Sequence, residues 1–118
     1  MNTQAEALHE RTEVLLDEWR DFVLECEGGY GWNVYEYHND LSVRDRLETG
    51  LPEMEPGDAA QVAEIDGRFR ALLQPGVQVG PEDGPRWHRG VLRYAGPDMA
   101  AELKDWFQVE VEVRQPAG

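Results

Sequence analysis

Between Leu8 and Cys26 the residues Leu8, Thr12, Leu15, Trp19, Phe22 and Cys26 recur at alternating intervals of four and three. That rhythm is the signature of one face of an α-helix, and no strand can present it. Leu16 and Val23 widen the stripe into a face broad enough to meet a core. Thr3 and Glu6 fit a capping box at the start. Gly28-Gly29 fits the end, because glycine accepts the left-handed geometry of a helix C-terminus. The opposite face carries Glu10, Glu13, Asp17, Asp21 and Glu25, against Arg11 and Arg20.

Further along, helix signals recur. Asn33 with Glu36 reads as a cap pair, and Val34, Tyr37, His38 and Leu41 share a helical face, although Tyr30, Trp32 and Val34 also alternate as a short strand does. Ser42 with Asp45 suggests a break near Asn39-Asp40 and a new helical start through Leu47, closed by Gly50 and Pro52. Residues 52–57 read as a loop. A third helix is expected from Asp58, capped with Gln61, with Val62, Ile65, Phe69 and Leu72 facing inward and Pro75-Gly76 as its stop. Gly67 lies inside it, where glycine costs about 1 kcal/mol relative to alanine, and a close helix–helix approach would explain it. Pro97 and Asp98 open a last helix, with Met99, Leu103, Trp106 and Phe107 expected inside. Val77–Val79 and Trp87–Tyr94 are short strand candidates, and Val109–Val113 alternates as a half-buried strand does. The Trp87–Tyr94 segment is its best partner in the chain, and an edge of a second molecule is the alternative. The expectation is a mostly α (α+β) domain over residues 1–118, about four helices in a small bundle with a small C-terminal β element.

At 118 residues, with 41% hydrophobic side chains, the chain can form one real core. Its charge is lopsided, with a net of −13. Residues 1–56 hold 14 acidic and 4 basic groups (−10), and residues 57–118 hold 10 and 7 (−3). Such a field repels nucleic acid and anionic membranes and favours a basic protein partner. With no apolar run of membrane-spanning length, no secretory signal and a single cysteine, a cytoplasmic location is expected.

Searching for catalytic machinery yields little. Ser42 is the sole serine and lacks a nucleophile elbow, so a cap role is expected of it. Cys26 falls on the apolar stripe of the first helix, where packing is its expected role. Glu6 and His9 have the Glu-x-x-His spacing of di-iron bundles without a second copy. The glycines of 28–31 lack the lysine of a phosphate loop. Neither a catalytic residue, nor a metal site, nor a cofactor is assigned. The alternative to a binding role is a small enzyme or metal-dependent protein with a carboxylate–histidine site around Glu36, His38, Asp40 and Asp45.

Two clusters suit recognition. Tyr30, Trp32, Tyr35 and Tyr37 lie beside Glu27, Glu36 and Asp40. Aromatic rings anchor interfaces and carboxylates select cations. Arg86, His88, Arg89 and Arg93, interleaved with Trp87 and Tyr94, form a short basic patch expected to pair with the chain's own acidic helices. The expected binding residues are Trp32, Tyr35, Tyr37, Glu36 and Asp40, with Asp17 and Asp21 of the first helix steering approach.

The segment Tyr35-Glu36-Tyr37-His38-Asn39-Asp40-Leu41-Ser42-Val43-Arg44-Asp45, followed by Asp66-Gly67-Arg68-Phe69-Arg70-Ala71-Leu72-Leu73, resembles small uncharacterised bacterial proteins, a domain of unknown function. Its small, acidic, helical character is similar in composition to toxin-immunity proteins, which neutralise basic toxin domains. The charge and the aromatic cluster lead to the expectation of a non-catalytic acidic binding module, and that likeness implies an inhibitor or immunity type as one version of it. A homodimer through Val109–Val113 or the first helix is a further expectation.

Overall fold

The structure is a computed structural model that describes the backbone of residues 3–78 and 90–114, and the side chains of 11–74 and 90–114. The proposed Thr3–Glu6 cap, the Glu6–His9 pair and the Arg86–Arg89 patch involve side chains outside the described residues. Among those described, the chain runs α1 (Thr3–Glu27), α2 (Val34–Gly50), a 3-10 turn (Leu51–Glu53), α3 (Pro56–Arg70), β1 (Leu73–Gln78), β2 (Gly90–Leu92), β3 (Tyr94–Ala95), α4 (Pro97–Phe107) and β4 (Glu112–Val113). It is mostly α with a small β element, as the periodicity predicts. No described helix is long and apolar enough to cross a membrane.

The stripe on α1 is buried over most of its length: Thr12, Leu16, Trp19, Phe22, Val23 and Cys26 are buried, Leu15 is half-buried against the core, and the Leu8 side chain lies outside the described residues. Gly29, at φ 101°, ends the helix, and its N–H bonds the Cys26 carbonyl at 3.1 Å. α2 begins where Asn33 caps it, the Asn33 side chain accepting from the Glu36 N–H at 2.8 Å. Contrary to the expected break, α2 runs unbroken through Asn39-Asp40 to Gly50, so Ser42 sits inside a helix and caps nothing. Leu41 and Leu47, both fully buried, hold the two halves in one stripe and override the local cap signal.

α1 and α2 are antiparallel: Phe22 meets Tyr37 at 5.8 Å between ring centroids, while Trp19, earlier in α1, shares Asp66 with Arg44, later in α2. α3 runs alongside α1 in the same direction, Arg20 reaching Gln61 at 3.0 Å and Arg68 reaching Glu27 at 2.5 Å. It starts at Pro56, two residues before the expected Asp58, because proline's fixed φ and missing N–H suit the first helical turn. It also ends earlier, at Arg70, and Pro75-Gly76 fall within β1.

Gly67 is a second correction. It is exposed, and a Cβ there would meet nothing within 4 Å, so no close helix approach explains it. Its helical backbone accepts any L-residue. Gly67→Ala is therefore expected to stabilise the fold by about 0.5–1 kcal/mol, read as a raised urea midpoint at unchanged slope.

β1 pairs antiparallel with β2 through an irregular register, Leu73 opposite Leu92 and Gln78 opposite Gly90. β3 pairs parallel with β4, Tyr94 opposite Glu112 and Ala95 opposite Val113. The tail thus finds its partner within the chain, at the end of the expected segment, but only Glu112–Val113 is strand. α4 begins at Pro97 as its sequence indicates and buries Met99, Ala100 and Leu103. Trp106 and Phe107 point outward instead, 61% and 42% exposed, because no described element covers the last turn of α4.

A buried charged pair ties the three long helices together. Arg44 of α2 donates to Asp66 of α3 through Nε and Nη2, both at 2.8 Å, and the Trp19 indole of α1 donates to the same carboxylate at 3.1 Å. Such a bidentate contact satisfies the charges where water cannot.

Candidate functional site

Residues of α1 and α2 together line an open cleft of about 430 Å³. From α1, Glu18, Asp21 and Glu25 face it, one turn apart at spacings of three and four. From α2 come Asn39, Asp40, Ser42 and Arg46, and Phe22 with Val43 form an apolar floor. Four carboxylates therefore line the cleft against one guanidinium.

Its walls are held by the core beneath. The fully buried Tyr30 donates its hydroxyl to Asp40 at 2.6 Å, fixing that carboxylate at the cleft edge. Burial, followed by the Asp40 hydrogen bond and charge, raises the Tyr30 hydroxyl far above its ordinary value, so it stays a donor. Glu25 is also shifted upward: desolvation is the main cause, and the Asp40 charge adds to it, while a hydrogen bond from Trp32 pulls the other way. A cation entering the cleft would favour the charged carboxylate and so oppose that upward shift.

Among the expected binding residues, Asp21 and Asp40 meet in the cleft, and Trp32, 59% exposed, reaches its edge through Glu25. Tyr35 is 74% exposed and does not line the cleft; it lies one helical turn before Asn39, which does. Tyr37 is a correction. It is 3% exposed, donates its hydroxyl to the Gly90 carbonyl at 3.0 Å and packs on Phe22 and Tyr30, so it anchors the core and offers no surface. Asp17 lies outside the cleft, paired with Arg20 at 3.0 Å on the flank toward α3. Glu36 is half-buried in the first turn of α2, its N–H taken by the Asn33 cap. Sequence reasoning does not single out Glu18, Glu25, Asn39, Ser42 or Arg46 as binding residues. Helical spacing from Asp21 and Asp40 was the available signal, and the supposed break in α2 concealed it.

Among the described residues, no group of three or more histidine, cysteine and carboxylate side chains is arranged to hold a metal ion. The Glu36, His38, Asp40 and Asp45 set therefore does not converge. Cys26 is fully buried, and burial, followed by the charges of Glu25, Asp40 and Glu27, pushes its thiol well up. It is expected to resist iodoacetamide at neutral pH in the folded protein and to react once urea unfolds it, as mass spectrometry would show. The chain matches no family model, no curated protein and no solved structure.

Proposed function

We propose that this is a non-catalytic binding protein whose cleft between α1 and α2 receives a basic protein partner. The observation that carries the reading is the lining of that cleft, with Glu18, Asp21, Glu25 and Asp40 against Arg46 alone. Carboxylates with little local compensation create a negative potential that draws in cations, and the low-dielectric walls focus it. The exposed Trp32, hydrogen-bonded to Glu25 at the cleft edge, and the exposed Tyr35, one helical turn from Asn39, supply the aromatic contact area from which interface hot spots are built. An inhibitor or immunity-type role toward a basic protein is one form of this function.

The immobilised protein, presented to a lysate of its source at low salt, is expected to retain one stoichiometric basic protein that elutes as salt is raised. Salt acts because exposed charge pairs are screened beyond about 8–10 Å at physiological ionic strength. Retention of that protein should fall sharply when Glu18 and Glu25 are both changed to lysine. If folded bait holds no basic protein, or holds one equally well with the cleft charges reversed, the reading is wrong.

A further inference from the structure

We infer that the cleft is a helix-docking groove, and that its occupant is a basic amphipathic helix of the partner; this rests on the binding function proposed above. Two antiparallel helices that line one open cleft frame a trough whose natural filling is a third helix, packed ridge into groove. On α1, Glu18, Asp21 and Glu25 line the cleft at three-four spacing, and on α2 Asn39, Ser42 and Arg46 do the same. Each rim runs about 10 Å, the length of two helical turns. A pocket for a small cation would not need two helical rims facing each other over that length.

The chemistry of the groove selects the occupant's face. Phe22 and Val43, each 6% exposed, form an apolar floor that a leucine-sized side chain can touch. Val14 and Tyr35, 57% and 74% exposed, stand one helical turn before Glu18 and Asn39 and extend apolar contact past the rims. Glu25 and Asp40 call for lysine or arginine on the flank of the incoming helix at their end, and Glu18 and Asp21 for more along the α1 rim. A second copy of this chain fits poorly, because it carries a net charge of −13 and would bring the same acidic rims into contact.

The probe is a fluorescein-labelled synthetic peptide of about four helical turns, with leucines at three-four spacing on one face and lysines flanking them. A scrambled peptide of the same composition, lacking the apolar face, is the control. Anisotropy titrations at low salt are expected to show the amphipathic peptide binding at least about tenfold more tightly than the scramble, a gap of roughly 1.4 kcal/mol. The Glu18→Lys/Glu25→Lys double variant, shown folded by circular dichroism, should lose most of that binding. Glu53→Lys, which reverses an exposed charge on the 3-10 turn, should leave it within twofold, roughly the scatter of a rim substitution. Equal binding of both peptides, lost in the groove variant but kept in Glu53→Lys, would overturn helix docking and leave the acidic cleft function standing. Binding weakened as much by Glu53→Lys as by the groove variant, or binding by neither peptide, would overturn both. Self-association on sedimentation that the groove variant abolishes would assign the groove to a second copy and also overturn the inference.

Discussion

Asp66→Ala should destabilise the protein by about 3–5 kcal/mol, a large part of the 5–15 kcal/mol that holds a domain of this size together. The substitution leaves the Arg44 guanidinium, whose side chain is 4% exposed, without the carboxylate it grips at two points. It also removes the acceptor of the Trp19 indole, which is fully buried. Water cannot reach these groups to replace what is lost, and the exposed Glu48, 3.9 Å from Arg44 Nη1, gives only a long, solvent-screened contact, so the cost is that of a poorly compensated buried charge and not of one missing hydrogen bond. Urea unfolding monitored by tryptophan fluorescence gives the number. The double variant Arg44→Met/Asp66→Leu is expected to regain the part of the loss that comes from the stranded guanidinium, since replacing both members with apolar groups removes the desolvation penalty along with the attraction, while the Trp19 indole still lacks its acceptor. A double variant as unstable as Asp66→Ala would mean that the network contributes something other than charge compensation.

Gly96→Ala should cost about 2–4 kcal/mol, although the same exchange at Gly67 is expected to stabilise. A Cβ at Gly96 would stand 2.6 Å from the Tyr30 carbonyl oxygen and 3.2 Å from the Gly31 Cα, both backbone atoms that cannot rotate aside. The contact is tight because the Gly96 N–H donates to that same carbonyl at 2.8 Å, which docks the start of α4 onto the loop after α1. That loop also positions Tyr30, whose hydroxyl holds Asp40 at the cleft. Opening the contact should therefore weaken both the fold and the placement of one cleft carboxylate. Thermal unfolding of Gly67→Ala and Gly96→Ala side by side is the check, with opposite shifts expected.

Helices were legible where an apolar stripe and a cap agreed. The α1 stripe from Thr12 to Cys26, the Asn33 cap of α2 and the Pro97 start of α4 all stand as the spacing indicates. Errors arose where a cap-like pair lay inside a longer stripe, as at Ser42-Asp45, or where a short stripe ran past its packing partner, as at Trp106-Phe107. The Arg44–Asp66 pair joins residues 22 positions apart, a pairing that local pattern does not encode. A signal was nonetheless present: Asp66 falls between Val62 and Phe69 on the apolar stripe of α3, and Arg44 between Leu41 and Leu47 on that of α2. Opposite charges on two core-facing stripes call for each other. For the binding residues, composition identified the acidic half of the chain but not which carboxylates converge. That depended on the antiparallel packing of α1 and α2, which also sent Tyr37 inward while leaving Trp32 and Tyr35 outside.

The raised Glu25 carboxyl adds a direction to binding. A bound cation favours the charged form and lowers the pKa, so binding takes up no proton at neutral pH and weakens as pH falls into the carboxylate range.

The most direct measurement is the association rate of the captured partner across a salt series, for the wild type and the Glu18→Lys/Glu25→Lys variant. Electrostatic capture by the cleft predicts a wild-type rate that drops about tenfold or more between roughly 50 and 500 mM salt, and a variant that is slow throughout. A rate that is flat with salt and unchanged by the variant would contradict it.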